Sequence, residues 1–403
     1  MGGIATMHGA LHFLRWLLLA AATAPFVYYL LAIWSATSFF LRPEAKDDGT
    51  FAPPVSILKP CRTLDPEAYE NFASFCRQTY PHYEILFAVA DPLDPVAAVI
   101  EKVIRDFPSV SIRLIRSAPA VGPNGKVNKL IWMAAEARYD LLVINDSDVR
   151  VTPDYLRHVI APFRDPRVGA TTAMYRAMTH GSLGAELEAV GITSEFQAGV
   201  LSAWRLEGVK FTLGATMACT RQALQAIGGF EAIADYHSDD YELGSRIAAA
   251  GYRVELLRDP VDLVYGQRSL SEFAAHQLRW ALTTRFARPG GHFGLLLTFG
   301  LPWTLLAMAV APARWIGAAY LAAYLVLRMA AAWIVGVWGL RDPLLRRRLW
   351  LVPLRDATGF LTWVASYFCN RIEWRGSSFH VVEGKLVPVD APANATEVET
   401  AAP

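Results

Sequence analysis

Hydrophobic residues are unevenly distributed along the 403-residue chain, and the longest apolar run lies near its start. Leu14 to Phe40 is almost continuously apolar. At a rise of about 1.5 Å per residue, a helix of this length crosses a hydrocarbon core of about 30 Å. The run is too long for the apolar region of a signal peptide. It therefore predicts an N-terminal transmembrane anchor over residues 11–41.

Two further apolar runs predict a membrane region near the C-terminus, over residues 281–376. Phe293 to Leu340 breaks near residues 311–314, which indicates a hairpin with two crossings. Arg328 interrupts the second crossing, so we expect it to face protein rather than lipid. Leu349 to Asn370 contains Pro353, Arg355 and Asp356. This weaker segment could cross, re-enter or lie at the interface, which gives two to three membrane helices in all.

Between these membrane segments, short apolar runs alternate with amphipathic stretches. This alternation is typical of an α/β domain with a parallel sheet and helices on both faces, which we place over residues 53–280. The predicted strands cover 55–60, 83–90, 110–115 and 140–145, and the predicted helices cover 67–78, 96–107 and 126–137. Further along, the pattern predicts a helix over 183–200, a strand over 211–218 and a helix opening at 237 and ending near 250.

Composition and charge narrow the function classes. Apolar residues make up 53% of the chain, which is high for a wholly soluble protein, and the net charge of +1 implies no nucleic-acid partner. The four cysteines have no metal-binding spacing. Arg346 to Arg348 form a short basic stretch after the hairpin, which places that loop and the α/β domain on the cytoplasmic side. Residues 384–403 are predicted to be a disordered tail.

Charged residues stand where several predicted strands end, which is where open α/β sheets bind ligands. Lys59 follows the first strand, Asp91 the second, and Asp146 and Asp148 the fourth. The Asp-Ser-Asp triplet can hold Mg²⁺ or Mn²⁺ together with a nucleotide diphosphate. The alternative is a polar loop in which Asp148 caps the next helix. Asp91 can bind a ribose or base edge, or can simply be a turn residue before Pro92.

Helix starts supply a second set of candidates. Lys126 opens a predicted helix and can meet a phosphate there, although a solvated lysine is the alternative. Asp239 and Asp240 open another helix. They can cap it, and adjacent buried carboxylates also suit a general base because each raises the pKa of the other.

Five further candidates lie in the second half of the predicted α/β domain. His276, Arg279 and Trp280 precede the membrane hairpin. Arginine can bind a diphosphate bidentately and tryptophan can form the wall of a sugar or lipid pocket, while interfacial anchoring is the alternative. Gly214 permits a close approach of backbone to a ligand. Glu195, on the helix predicted over 183–200, lines an acceptor groove or packs on the sheet.

Taken in order, these motifs resemble the ceramide glucosyltransferase family (glycosyltransferase family 21), which has the GT-A fold. The resemblance extends from Val55 to about Gly376. It is carried by Ile57-Leu58-Lys59-Pro60, Asp91, Asp146-Ser147-Asp148, Asp239-Asp240-Tyr241 and a final Arg279-Trp280 pair. His276 occupies a position where the family usually has Gln or Arg, and Glu195 one where animal ceramide enzymes have His.

The resemblance implies an inverting, metal-dependent hexosyltransferase. Asp91 and Asp146 would bind a UDP-sugar, Asp146 and Asp148 a metal, and Asp240 would act as the base. Lys59, Lys126, Asp239, His276, Arg279 and Trp280 would complete the donor site, with Glu195 and Gly214 near the acceptor.

The expected reaction is transfer from UDP-glucose to ceramide by a multi-pass protein of the bacterial inner-membrane type. A second resemblance, to bacterial hopanoid glycosyltransferases, implies UDP-N-acetylglucosamine and a bacteriohopanetetrol acceptor. A processive polysaccharide synthase shares the motifs, and a non-catalytic membrane scaffold is the remaining class.

Overall fold

The computed structural model describes residues 2–43, 50–116, 120–179, 181–374 and 377–389. Its α-helices are α1 Gly2–Ala21, α2 Ala24–Phe40, α3 Ala68–Cys76, α4 Val96–Asp106, α5 Gly125–Glu136, α6 Tyr155–Ile160, α7 Leu183–Gly191, α8 Gln197–Glu207, α9 Arg221–Ala226, α10 Asp239–Ala249, α11 Leu270–Ala287, α12 Pro289–Gly294, α13 Gly300–Val310, α14 Arg314–Ala332, α15 Pro343–Arg348 and α16 Val352–Ser366. Its strands are β1 Val55–Pro60, β2 Tyr83–Val89, β3 Ser111–Arg116, β4 Leu141–Ile144, β5 Val149–Arg150, β6 Val168–Thr179, β7 Met217–Thr220, β8 Arg253–Tyr265, β9 Arg371–Trp374, β10 Ser377–Val382 and β11 Lys385–Pro388.

One eight-stranded sheet, in the order β3-β2-β1-β4-β7-β6-β8-β5, organises the α/β domain. The four strands that the sequence predicted pair in parallel, as expected. Strand β7, however, runs antiparallel to both of its neighbours, β4 and β6. The sheet is therefore mixed, and the prediction of a parallel sheet was wrong beyond β4. The prediction rested on the regular alternation of strands and helices, which ends at β4. After β6 the chain forms the helices α7 and α8, and only then returns to the sheet as β7.

Neighbouring residues of β1 face opposite sides of the sheet and enter two separate cores. Ile57 packs with Phe72 and Ile85 on one side, and Leu58 packs with Leu86 on the other. All of these side chains are fully buried. Burial on both faces explains why β1 has apolar residues at consecutive positions, Ile57 and Leu58, rather than a strict alternation of apolar and polar residues.

The segment predicted as one strand over 211–218 is mostly a loop, and only Met217–Thr220 is a strand. Hydrogen bonds to α10 replace the ladder in residues 211–216. The amide of Gly214 donates to the Asp240 carboxylate and the hydroxyl of Thr212 donates to the Asp240 carbonyl oxygen. A strand there would leave the start of α10 without these partners.

The helix predicted over 183–200 is longer and interrupted. Helix α7 continues through a π-helical segment, Ile192–Phe196, into α8, which ends at Glu207. A π-bulge shifts the residues that follow it around the helix axis, and such bulges occur frequently at functional sites.

Within the described residues, two helical stretches are long and apolar enough to cross a membrane, Met7–Phe40 and Arg314–Gly339. A third is present if Pro289–Thr298 and Gly300–Val310, which are bent by 49° at their junction, form one span. The hairpin breaks between Val310 and Arg314, as predicted. Arg328 is 3% exposed and pairs with Asp356 of α16 at 2.8 Å, which confirms that it faces protein. The chain is a membrane protein.

The C-terminal region contains structure that the sequence did not predict. Strands β9, β10 and β11 form a three-stranded antiparallel sheet. Strand β11 lies inside the segment predicted to be disordered, so that prediction was wrong for residues 385–388. Strand β11 pairs with β10, and its Leu386 amide donates to the Asp235 carbonyl oxygen. No pattern in the local sequence predicts these contacts. Residues 390–403 lie outside the described part of the chain. The predicted domain boundary after residue 280 falls within α11.

Candidate active site

The loop that carries Asp146 and Asp148 follows the carboxyl end of β4. Asn145, the first residue after the strand, fixes this loop through its side chain. The Asn145 side chain is buried, and its amide donates to the carbonyl oxygen of Ala215 and to the hydroxyls of Tyr155 and Thr216, at 2.8–2.9 Å. These bonds connect the carboxylate loop to the loop that contains Gly214. The two loops therefore keep a fixed spacing.

Lys126 bridges two of the predicted carboxylates. It lies in the first turn of α5, which Asn124 caps through its side chain. Its ammonium group is 2.9 Å from Asp146 Oδ1 and 3.1 Å from Asp239 Oδ2. Burial alone would lower the pKa of Lys126, but the carboxylates of Asp146, Asp239 and Asp240 outweigh it and raise the pKa above its usual value. Lys126 therefore stays charged.

Asp240 lies at the start of α10 with both carboxylate oxygens engaged by backbone. Oδ2 accepts from the Gly214 amide at 3.0 Å and Oδ1 from the Tyr241 amide at 2.8 Å. Burial and the charge of Asp239 nevertheless raise the pKa of Asp240 to about 6. The side chain is thus fixed in orientation and has the proton affinity that a general base needs near neutral pH.

Lys59 and Asp91 are placed differently from the other donor candidates, since neither lines the cavity described below. Lys59 is fully buried behind the Asp146 loop, donates to the Asp146 carbonyl oxygen at 2.9 Å and sits 3.8 Å from the centre of the Phe75 ring. Burial lowers its pKa to about 8. Asp91 is exposed and accepts from the Leu93 amide at 2.9 Å, the turn role given as its alternative.

Helix α11 presents the three residues predicted near its middle. His276 Nδ1 lies 2.6 Å from Glu188 Oε1, and its ring centre is 5.1 Å from that of Trp280. Burial lowers the pKa of His276, while Glu188 opposes this shift. Arg279 and Trp280 line the same cavity.

Two further charged residues lie next to His276, Glu188 and Arg268, and the sequence analysis did not predict either of them. Glu188 is fully buried and also forms an ion pair with Arg268. The sequence shows Glu186, Glu188 and Glu195 on one helix with no mark of which is buried. Their positions relative to the helix axis alone do not separate them, because α7 packs against elements that follow much later in the chain.

A single cavity of about 930 Å³ joins these groups to the membrane helices. Its polar end includes Lys126, Asp146, Asp148, Asp239, Asp240 and Gly214. Its other end is formed by residues of the N-terminal helix, the hairpin and α16, among them Tyr29, Phe299, Arg328, Asp356 and Trp363. Glu195, Phe196 and Trp280 lie along the wall as well. The cavity therefore connects a charged site with the helices of the two membrane regions.

The carboxylates present fit a hard divalent cation bound together with a substrate. The described residues contain no group of three or more His, Cys, Asp or Glu side chains that could hold a metal ion. Mg²⁺, however, usually binds through one or two carboxylates plus substrate phosphates. Asp146 and Asp148 supply two carboxylates to the cavity.

Comparison with known proteins supports the predicted family. The profile of Glycosyl transferase family 21 matches residues 17–387. Ceramide glucosyltransferase 3 of Caenorhabditis elegans is 23% identical over 90% of this chain and 81% of its own length. The ceramide glucosyltransferase of Candida albicans is 34% identical, over 29% of this chain and 24% of its own length. Beta-monoglucosyldiacylglycerol synthase of Nostoc sp. is 24% identical over 62% of this chain and 54% of its own length.

A solved structure shows the same fold. A mannosyltransferase from Pyrobaculum calidifontis, in complex with GDP-mannose and Mn²⁺, aligns with 88% of this chain and 99% of its own with a TM-score of 0.54 at 20% identity. The predicted GT-A fold is thereby confirmed, as is the resemblance stated from the motifs. Because the family profile covers the α/β domain and both membrane regions, the chain belongs to glycosyl transferase family 21.

Proposed function

We propose that this chain transfers glucose from UDP-glucose to the primary hydroxyl of a membrane lipid, with ceramide as the acceptor. The observation that carries the proposal is the cavity that joins Asp240 and the Asp146 loop to the membrane helices. A nucleotide sugar has charges that suit the polar end, and a lipid has chains that suit the apolar end. The two ceramide glucosyltransferases reported above support the choice of acceptor.

In the proposed mechanism, Asp240 removes the proton of the acceptor hydroxyl as its oxygen attacks the anomeric carbon. The attack displaces UDP and inverts the anomeric configuration. The amides of Gly214 and Tyr241 hold the Asp240 carboxylate in place for this step. Lys126 and Arg279 lie at the same cavity and would stabilise the charge of the departing diphosphate.

Asp146 and Asp148 would hold Mg²⁺ or Mn²⁺ at the diphosphate. When bound, the ion supplies positive charge to the leaving group. Lys126 forms ion pairs with both Asp146 and Asp239 and offsets one of their two negative charges, which reduces the repulsion between this carboxylate cluster and UDP.

A test of metal use is removal and return of the ion. We expect EDTA to abolish transfer and Mg²⁺ or Mn²⁺ to restore it, while Asp148→Asn fails to recover at any metal concentration. The readout is product formed per minute by purified protein in detergent. Full transfer by metal-stripped protein would remove the ion from the proposal.

The proposed orientation places the α/β domain in the cytoplasm of a bacterium. The basic residues of α15 support this, since short loops rich in Arg lie on the cytoplasmic side. Arg348 of α15 forms an ion pair with Glu186 of α7, which puts α15 on the same side as the domain. Two to three spans also argue against a processive polysaccharide synthase, which needs a channel through the membrane.

The decisive experiment is sugar transfer by the purified full chain in detergent. UDP-glucose and UDP-N-acetylglucosamine would each be offered with ceramide, diacylglycerol and a hopanoid tetrol, with Asp240→Asn protein as the control. We expect glucosylceramide from the wild-type protein and a rate about 10²–10⁴-fold lower from the variant. A product with diacylglycerol or the hopanoid alone would retain the chemistry and change the acceptor. No product with any pair would reject lipid glycosylation by this chain.

A further inference from the structure

The membrane end of the cavity is not uniformly apolar, because α16 places two consecutive charged residues in its wall. Arg355 and Asp356 are 7% and 6% exposed and both line the cavity. Across from them lie Ser194 and Glu195, in the π-helical segment that interrupts the helix from α7 to α8. Charged groups at such a place are costly to bury, so each needs a partner or a ligand.

Both carboxylate oxygens of Asp356 accept hydrogen bonds from neighbouring protein groups. Arg328 donates to both of its carboxylate oxygens at 2.8–3.1 Å, and the Tyr324 hydroxyl donates to Oδ2 at 2.8 Å. Arg328 also donates to the carbonyl oxygen of Ser194 at 3.1 Å. This group is a structural tie between α14, α16 and the π-helical segment.

Arg355 is different, because part of its guanidinium has no protein partner. Its Nη2 donates to Gln277 Oε1 at 2.7 Å and lies 3.2 Å from Glu195 Oε2, an ion-pair distance without hydrogen-bond alignment. Within the described chain, Nε and Nη1 of Arg355 and Oε2 of Glu195 are buried and have no hydrogen-bond partner. The Arg355 side chain is 9% exposed. Two donors and one acceptor thus remain unused at one point of the cavity wall.

Two glycines let the Arg355 side chain lie closely against this wall. A Cβ on Gly359 would lie 2.9 Å from Arg355 Nη1 and 3.3 Å from Glu195 Oε1. A Cβ on Gly191 would overlap Arg355 Nε. Both glycines line the cavity. A side chain at either position would displace Arg355, so the two glycines allow its guanidinium to lie beside the Glu195 carboxylate in the cavity wall.

The charge of this wall limits the ligand class. Arg328 and Arg355 balance Asp356 and Glu195, so the wall has no net charge with which to attract an anionic headgroup. The wall instead offers a hydrogen-bond donor, the Arg355 guanidinium, next to a hydrogen-bond acceptor, the Glu195 carboxylate. A diacylglycerol has ester carbonyls but no hydrogen-bond donor besides its reacting hydroxyl, so it can use only the donating half.

We propose that Glu195 and Arg355 form the binding site for the headgroup of the acceptor lipid, and that they select a neutral headgroup with a hydrogen-bond donor in addition to the reacting hydroxyl. An amide N–H or a second hydroxyl donates to Glu195, and a carbonyl or hydroxyl oxygen accepts from Arg355. The proposal rests on the proposed lipid glycosylation and specifies its acceptor class.

The test separates acceptor binding from turnover. Purified full-length protein would be titrated with short-chain ceramide, its N-methyl, 3-O-methyl analogue and short-chain diacylglycerol, with tryptophan fluorescence as the readout, since Trp280 and Trp363 line the cavity. Acceptor KM, UDP-glucose KM and kcat would be measured on the same preparations. The variants are Glu195→Ala and Glu195→Gln. The matched control is Glu70→Ala, which removes a glutamate of α3 whose ion pair with Arg77 is exposed, and neither residue lines the cavity.

We expect Glu195→Ala to weaken ceramide binding and raise the ceramide KM by 10-fold or more. UDP-glucose KM should stay within twofold of wild type. Glu195→Gln should recover much of the loss, because its amide oxygen still accepts a hydrogen bond. The methylated analogue should bind wild type as weakly as ceramide binds Glu195→Ala, with no further loss in the variant.

Two outcomes would overturn the site assignment. One is unchanged ceramide affinity in Glu195→Ala, and the other is an equal loss of affinity for diacylglycerol and ceramide. Loss of ceramide affinity in Glu195→Ala, together with a wild-type protein that transfers no glucose, would support the site and reject the proposed function. The two failures are therefore distinguishable.

Discussion

Asp240 shows how one side chain is both fixed and made basic. Two backbone amides orient its carboxylate, and hydrogen bonds of this kind favour the ionised form and lower a pKa. Burial and the charge of the adjacent Asp239 favour the protonated form, and their effect is larger, so the pKa of Asp240 rises to about 6. The side chain keeps a defined geometry and still binds a proton far more readily than an exposed aspartate.

This pKa sets the acid side of the pH dependence. Below about pH 6 Asp240 is protonated and cannot remove a proton, so kcat/KM should fall tenfold for each unit of pH below that value. Asp240→Asn should lower kcat by about 10²–10⁴-fold and abolish the pH dependence near 6. The measurements are initial rates from pH 4.5 to 8 and UDP binding by calorimetry. Retained UDP binding shows that the variant is folded, and a wild-type rate that is flat from pH 5 to 8 would contradict the assignment of Asp240 as base.

Residue types and their places at strand ends and helix starts were enough to predict most of this site. Lys126, Asp146, Asp148, Asp239 and Asp240 line one cavity, as the order of motifs led us to expect. The same reasoning could not separate Lys59, which also follows a strand but points behind the loop. Whether a side chain at a strand end faces the cavity depends on the face of the sheet that it occupies, and β1 is buried on both faces.

At the scale of elements, the site depends on the contact of α10 with the loop before β7. Gly244 lies about one helical turn after Asp240 in α10, and a Cβ there would overlap the backbone of Phe211 and Thr212. The absence of a side chain lets the helix approach the loop closely enough for Thr212 and Gly214 to hold Asp240. Gly244 is therefore a packing requirement of the base.

Gly244→Ala should push α10 away from this loop and weaken both stability and catalysis. Overpacking of this kind typically costs about 1–3 kcal/mol of unfolding free energy. We expect a lower Tm and a lower kcat with little change in UDP affinity, measured by thermal unfolding in detergent and by transfer assays. Gly199→Ala is the matched control for stability, since no atom lies within 4 Å of its Cβ position in α8. If Gly244→Ala unfolds at the wild-type temperature, the close contact is not required.

The elements that the sequence could not predict share a cause, which is pairing with distant parts of the chain. The loop over residues 211–216 is fixed by Asp240 and Asn145, and strand β11 by β10 and Asp235. Periodicity indicates which face of an element is apolar. It does not indicate which distant polar groups form hydrogen bonds with the backbone of that element. The first four strands were predicted because their long apolar runs alternate with amphipathic helices at short range.

At the scale of the whole molecule, the N-terminal helix is more than an anchor. Ala36 and Phe39 of α2 are fully buried and belong to the main core of the α/β domain. The Phe39 ring packs edge-on against Trp204 of α8 at 5.0 Å, and Tyr29 and Ala32 line the cavity. The apolar run predicted a membrane helix, but hydropathy alone does not distinguish a face that contacts lipid from one that contacts a folded domain.

This packing predicts different outcomes for two truncations. Removal of residues 2–18 takes away the part of α1 whose described side chains are mostly exposed, and we expect a protein that folds and transfers sugar in detergent. Removal of residues 2–43 also takes away Phe39, Phe40 and the Arg42 guanidinium, which donates to the Leu256 carbonyl oxygen at 2.8 Å. Loss of one buried phenylalanine side chain alone typically costs about 3–5 kcal/mol, so the longer truncation should aggregate.

Size-exclusion chromatography and thermal unfolding of both truncations would measure the difference, and Phe39→Ala in the full chain gives a milder version of the longer one. That variant should stay membrane-bound and unfold at a lower temperature, which separates packing from anchoring. A soluble, monodisperse and active protein that begins at residue 44 would show that the α/β domain completes its core without α2. The cavity would then form without α2, and the hairpin and α16 alone would connect the membrane to Asp240.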